Sequence, residues 1–304
     1  CRHGRDIRMP LEIHHLTHGT RLELPPGSAA RARGLILVVG GGRGCVLRAS
    51  DPLAGLWLPL RGRLQLGAAT TDNLVRAGEL SVSEPDARVH AVGRGASLWI
   101  AVLGGVAAWQ QALGELSDPP ISGPVLIPAR HVADRDLRRR AIALARSRTG
   151  GEAMAGIEAL LERLAALQQL FAPAVARCPG RTYAQRRQVF LRLQRVRNYL
   201  AANCQLEIDN DALAKMASYS PWHFIRAFRA AYQETPHACL VRMRLERARR
   251  LLRASPLAIS EIALASGFEN RCAFSRLFRQ RFGITAGAMR RHESAGGGAL
   301  RVVR

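Results

Sequence analysis

The stretch Phe224-Ile225-Arg226-Ala227-Phe228-Arg229-Ala230-Ala231-Tyr232-Gln233-Glu234-Thr235 returns fifty residues later as Phe274-Ser275-Arg276-Leu277-Phe278-Arg279-Gln280-Arg281-Phe282-Gly283-Ile284-Thr285. Aromatic, basic and threonine positions fall in register, so the segment is an internal repeat and each copy is one structural unit. Both copies follow a short helical pattern and a tight turn. In the first, Asp209 or Asn210 caps a helix carrying Leu213, Met216 and Ala217, and Ser218-Tyr219-Ser220 turns the chain into Pro221 at the start of the next helix. In the second, Ser260 opens a helix through Ile262, Ala263 and Leu264 that ends at Gly267, a residue suited to a left-handed cap. Each unit reads as helix, tight turn, helix.

In the second helix of each unit, Phe224 and Phe228, or Phe274 and Phe278, stand four residues apart and face the core. That orientation leaves Trp222, His223, Ile225, Arg226 and Arg229 on the outer face of one helix. On the other it leaves Arg271, Cys272, Ala273, Ser275, Arg276 and Arg279. Arginines mixed with polar and small side chains on the first turns of a helix are what base edges in a major groove accept. Between the copies, Pro236 to Ala254 reads as one amphipathic helix, apolar at Leu240, Met243, Ala248 and Leu251 and basic at Arg242, Arg244, Arg249, Arg250 and Arg253. Nineteen residues make a strut of about 28 Å, close to the roughly 34 Å of one duplex turn. Such a strut suits two reading helices in successive grooves, with some of its arginines on phosphates.

Charge points to the same end of the chain. Of 304 residues with a net charge of +22, residues 181 to 304 hold 23 Arg and Lys against 8 Asp and Glu, a net +15. This concentration is expected of a surface that approaches a polyanion. An arginine-rich composition, with Lys215 the sole lysine, raises charge throughout but does not explain the asymmetry. The six cysteines are scattered without C-x-x-C or zinc spacing, which fits reduced structural thiols. No apolar run is long enough to span a membrane.

Upstream, from Leu35 to Leu103, short apolar runs alternate with Gly, Pro and Asp: Leu35 to Val39, Leu56 to Leu60, Arg63 to Leu66, Leu80 to Val82, Val89 to Val92 and Ser97 to Leu103. Their spacing predicts a small all-β barrel or sandwich. After Gly150-Gly151 the period changes. Ile157, Leu160, Leu164, Leu167 and Phe171 form one helical stripe, read either as packing on the chain's own barrel or as the seam of a homodimer. Pro173 and Pro179-Gly180 then mark a boundary.

The C-terminal residues resemble the AraC/XylS family of bacterial regulators over about residues 195 to 291. The resemblance rests on Leu213-Ala214 through Tyr219-Ser220-Pro221-Trp222-His223, on Arg244-Leu245-Glu246-Arg247-Ala248-Arg249-Arg250-Leu251-Leu252, on Ile259 through Ser266-Gly267-Phe268, and on the second copy of the repeat. It departs at Ala286 and Met289, where the family usually has Pro and Tyr. The resemblance implies a seven-helix domain that binds double-stranded DNA and acts at a promoter, usually as an activator, with RNA polymerase as a partner. It places Trp222, Ile225 and Arg226 at contact positions on the first reading helix, Pro221 to Ala231. On the second, Asn270 to Arg281, it places Arg271, Cys272, Ala273 and Arg276.

Gly55 to Leu66 and Ala77-Gly78-Glu79-Leu80 resemble, more weakly, the family's cupin-type sensor barrel. The whole is therefore expected to be an α+β multidomain chain. A cupin-like effector domain over 1–130 is followed by a helical linker or dimerisation region over 131–183, an all-α domain with two helix-turn-helix motifs over 184–292, and a disordered tail over 293–304. Sensing a small organic effector, or homodimerisation alone, is the part implied for the first domain, and the cytoplasm, on the nucleoid, is the implied location. No cofactor, metal or catalytic residue is expected. The competing readings are a metal-dependent cupin enzyme with an accessory DNA-binding tail, and an architectural binder held by charge alone. For the former, His90 is the lone histidine within the barrel runs, and His14, His15 and His18 precede them.

Overall fold

The computed structural model describes residues 9–27, 34–67, 74–83, 88–114 and 126–294. The expected tail from 295 on lies outside the described residues. The chain forms two compact units: Cys1–Ala176 with Gly180–Gln194, and Arg177–Pro179 with Arg195–Arg304.

Among its described residues the first unit has nine strands: β1 (Leu11–Leu16), β2 (Arg21–Leu24), β3 (Leu35–Gly42), β4 (Val46–Pro52), β5 (Ala54–Leu66), β6 (Leu74–Arg76), β7 (Glu79–Val82), β8 (Arg88–Gly104) and β9 (Ala129–Val132). They form one sheet whose main path runs β1-β3-β8-β5-β7-β9. Side chains alternate between two cores, as the period of a strand dictates. Leu35, Leu37 and Val39 of β3 join Leu56, Leu58, Ile100 and Val102 in one core, while Ile36 and Val38 join Trp57, Leu64, Trp99 and Ala101 in the other.

This sheet is open. Among the described residues its path ends at β1 and β9, which are not paired with each other, so an open sheet stands where a small barrel or sandwich was expected, and a cupin-like identity is not established. Six apolar runs suggested six short strands in that region. Two pairs of them are instead single long strands, because β5 carries the chain through register shifts at Pro59/Arg61 and Arg61/Arg63 and β8 runs on for 17 residues. β8 pairs β4 along its first part and β3 along its last, so the sheet folds over the Trp57–Trp99 core.

The opposite core is covered by helices α1 (Val106–Gly114), α2 (Arg135–Ala145) and α3 (Gly150–Gln169). Ile157, Leu160, Leu161 and Leu164 of α3 are at most 1 % exposed there, packed with strand residues of the same chain. At these positions the stripe, read either as packing on the chain's own barrel or as a homodimer seam, is core, and α2 and α3, within the region 131–183 read as a helical linker or dimerisation region, cover the sheet. A short helix, α4 (Ala172–Arg177), follows, and then α5 (Tyr183–Asn203). The division between units falls within α5, after Gln194, and not at 183/184 where the breakers suggested it.

The second unit continues with α6 (Asn210–Met216), α7 (Pro221–Tyr232), α8 (Pro236–Ala254), α9 (Ile259–Ala265), α10 (Arg271–Phe282) and α11 (Ala286–Ser294). Leu245, Ala248 and Leu252 of α8 share a core with Ile262, Ala263, Phe268, Phe274, Phe278, Ala286 and Met289. Ala286 and Met289, the departures from the family's ending, therefore fill the core and anchor α11.

Candidate nucleic-acid interface

Local chemistry sets the ends of the two exposed helices. Ser220 precedes α7 with Pro221 at its first position, and its hydroxyl is held by His223 Nδ1 at 2.7 Å. Asn270 precedes α10, and its Oδ1 accepts from the backbone N–H groups of Cys272 (2.8 Å) and Ala273 (3.0 Å). Both helices end in the left-handed region, at Gln233 (φ 60°) and Gly283 (φ 76°). Thr235 and Thr285 then accept from Ala238 N and Ala288 N, each at 3.2 Å, as the next helices open. The repeat thus extends to the left-handed helix ends and the threonine caps that follow them, while at the helix starts only Asn270 caps with its side chain.

Beneath each face runs an aromatic ladder. Phe224, Phe228, Phe274 and Phe278 are fully buried. Ring centroids lie 5.7 Å apart for Phe224–Phe228 and 4.7 Å for Phe228–Tyr232, against 5.4 Å for Phe274–Phe278 and 4.6 Å for Phe278–Phe282. A guanidinium lies over the last ring of each ladder: Arg197 over Tyr232 at 5.1 Å and Arg249 over Phe282 at 5.4 Å.

With the phenylalanines inward, the outer face follows from helical period. Trp222, His223, Ile225, Arg226 and Arg229 are all exposed on α7, as are Arg271, Cys272, Ser275, Arg276 and Arg279 on α10, while Ala273 is half-buried. Trp222 is 63 % exposed, unusual for so large an apolar ring, and the Arg226 guanidinium lies over it at 5.3 Å. Among the described residues none of these five arginines is paired with a carboxylate. Glu246 takes Arg249 at 2.9 Å and Arg281 at 3.8 Å, and Glu261 takes the Ala258 N–H at 2.6 Å. The charge on both faces is free for an outside anion.

Shallow grooves run beside these faces. One is lined by Trp222, Ile225, Arg226, Arg229, Ala230 and Gln233, the other by Ser275, Arg276, Arg279, Gln280, Gly283 and Thr285. Gln233, Gln280 and Thr285 were missed by reading only the first turns of each helix, although the register of the repeat was the signal for them.

The strut, α8, differs from expectation. Arg242 is bonded to Glu234 at 2.6 and 3.1 Å, Arg244 donates to the carbonyls of Cys204 and Leu206, and Arg249 is held by Glu246 and Phe282. These arginines fasten the fold instead of facing a phosphate. Arg250 is the exposed one among those named on this helix, apart from Arg253 near its end.

Burial pushes the Cys178 and Cys239 thiols up to about 11, so both stay protonated, and it raises Cys45 and Cys204 as well. Cys272, on the α10 face, is the exposed thiol among the described residues. No group of three His, Cys, Asp or Glu stands together as metal ligands among the described residues. His14 is taken up by Glu12 at 2.7 Å, and His90 Nδ1 lies 3.2 Å from the Gly67 carbonyl. No described helix is long and apolar enough to cross a membrane.

Two capped helix-turn-helix units, each with an aromatic core under an unpaired basic face and sharing one long helix, define a tandem helix-turn-helix domain. A family of helix-turn-helix domains matches residues 213–292. The chain is 42% identical over 89 residues to the HTH-type transcriptional regulator GlxA of Rhizobium meliloti, covering 29% of this chain and 27% of that one. It is 33% identical over 93 residues to the HTH-type transcriptional regulator GbdR of Pseudomonas aeruginosa, covering 31% and 25%. The DNA-binding domain of AdpA, solved in complex with a target DNA, is 28% identical over 34% of this chain and 95% of that chain, with a TM-score of 0.33. The matched stretch spans about a quarter of the length of these curated relatives. Over residues 213–292 the chain is thus similar to the helix-turn-helix domains of these transcriptional regulators.

Proposed function

We propose that the chain is a sequence-specific regulator of transcription that binds double-stranded DNA through α7 and α10. One observation carries the reading: the same register of buried phenylalanines and unpaired, exposed arginines occurs twice, on helices joined by a single strut. In this reading Trp222, His223, Ile225, Arg226 and Arg229 meet one groove. Arg271, Cys272, Ala273, Ser275, Arg276 and Arg279 meet the next, the small Cys272 and Ala273 making the second contact less selective. The sheet-bearing unit modulates the output, through a small organic effector or a second copy of the chain, and RNA polymerase at the promoter is the partner that reads it out.

Duplexes selected by the full chain from a random library supply the probe. Mobility shifts on that probe are expected to weaken by about 1–3 kcal/mol for Arg226→Ala and for Arg276→Ala, the value of a base-contacting arginine. Unchanged binding by both variants removes the contact roles. Equal affinity for selected and random duplexes at fixed salt leaves only a charge-driven binder.

A further inference from the structure

We propose that Arg244 is a positioning residue that fixes the spacing between the two DNA-reading helices; the inference rests on the reading of α7 and α10 given above. Its guanidinium, at the middle of the strut, donates through Nε to the Cys204 carbonyl at 2.7 Å and through a terminal nitrogen to the Leu206 carbonyl at 2.9 Å. Those carbonyls lie just beyond the end of α5 at Asn203, in the turn that leaves it. A planar fork of N–H groups satisfies two at once and sets its charge against the negative end of the helix.

The second helix-turn-helix unit reaches the same guanidinium. Gly267, in its turn at φ +90°, is so close that a Cβ there would lie 2.8 Å from Arg244 Nε, 2.9 Å from the Cys204 oxygen and 3.0 Å from Gln205 Cα. One helical turn along the strut, Arg247 Nε donates to the carbonyl of Ala265, the last residue of α9, at 3.0 Å. The end of α5 belongs with the first reading helix, since Arg197 of α5 lies over Tyr232 at the end of α7. Arg244 therefore ties a segment anchored to α7 and the turn that launches α10 to one point on the strut. A pair of helices locked in this way accepts one groove-to-groove distance, whereas a base pair inserted between its sites displaces the second by about 3.4 Å and rotates it by roughly 35°.

The test uses the full chain and the bipartite duplex it selects from a random library, together with duplexes carrying one base pair more or less between the two contacted turns. The wild type is expected to lose about tenfold or more in affinity when the spacing changes. Arg244→Met, which keeps the apolar stem and loses the fork, is expected to bind the selected duplex more weakly and to shrink the spacing penalty to about threefold or less. Arg244→Lys, with donors but no planar fork, should fall between them. Gly267→Ala, which crowds the joint while leaving the guanidinium in place, is measured in parallel and is expected to relax the penalty too. Thermal unfolding of each variant identifies those that remain folded.

An unchanged spacing penalty in a folded Arg244→Met or Gly267→Ala protein overturns the proposal. So does an equal loss on every duplex with a salt slope lower by about one, the signature of an arginine on a phosphate. Failure of the wild type to select any bipartite site instead refutes the DNA-reading assignment itself.

Discussion

Ser218 stands at φ 58° in the turn of the first helix-turn-helix unit, two residues beyond the end of α6, and Gly267 stands two residues beyond the end of α9 at φ +90°. The two turns demand the same hand of backbone, and only one has the residue that adopts it without a Cβ penalty. Ser218→Gly is accordingly expected to raise stability by about 0.5–1 kcal/mol, seen as a higher midpoint in urea or heat. A lower midpoint would mean that the serine side chain supports the turn. The glycine was legible in the sequence because its type announces the conformation. Its counterpart was not, since serine is common in ordinary turns and only the fold shows which hand is required. The aromatic positions were legible for a different reason: Phe224, Phe228, Phe274 and Phe278 repeat at helical spacing, and burial follows from that spacing directly.

Among the elements, α8 shows where sequence periodicity stops informing. Its limits, Pro236–Ala254, follow from the pattern, but Leu240, Met243, Ala248 and Leu251 were expected to face inward and Cys239, Leu240, Leu245, Ala248 and Leu252 are the buried ones; likewise an arginine pointing to solvent and one folded back onto its own protein look alike in a sequence. Arg242 is of the second kind, bonded twice to Glu234 just before the strut begins. Burial alone would raise the Glu234 pKa, but the hydrogen bond and charge of Arg242 outweigh it and hold the carboxyl below the usual range. A lowered folded-state value means that the pair's stabilisation is complete above the unfolded value of about 4.3 and is lost as pH falls through the folded value. Glu234→Gln is therefore expected to cost about 1.5–3 kcal/mol at neutral pH and to remove that share of the acid sensitivity. Urea midpoints at pH near 7 and near 3.5 check both. An undiminished drop between the two pH values would assign the acid sensitivity to other carboxylates.

At the scale of the whole molecule, the sequence showed a strand-rich unit and a helical unit, and the structure has both. Whether a sheet closes depends on pairings between residues far apart in the chain, which local alternation does not encode. That is why a barrel or sandwich was expected and, among the described residues, an open sheet is found. The stripe on α3 is a related case, because an apolar helix face looks the same whether its own chain or a second copy covers it. Ile157, Leu160 and Leu164 of the stripe, with Leu161 beside them, lie in the chain's own core on the sheet's helical side. Leu161→Ala is expected to destabilise the chain by about 2–5 kcal/mol through the cavity it leaves, with no change in sedimentation. A shift from dimer to monomer at unchanged unfolding midpoint would restore the seam.

Cys272 adds a practical consequence of the same architecture. Four of the five described thiols lie inside the protein, and the fifth stands on the first turn of α10 beside Arg271 and Arg276. A maleimide-linked fluorophore or a photocrosslinker attached there would sit within the α10 face proposed to meet DNA without any engineered cysteine, so the untouched side chains around it could report on an encounter with a duplex.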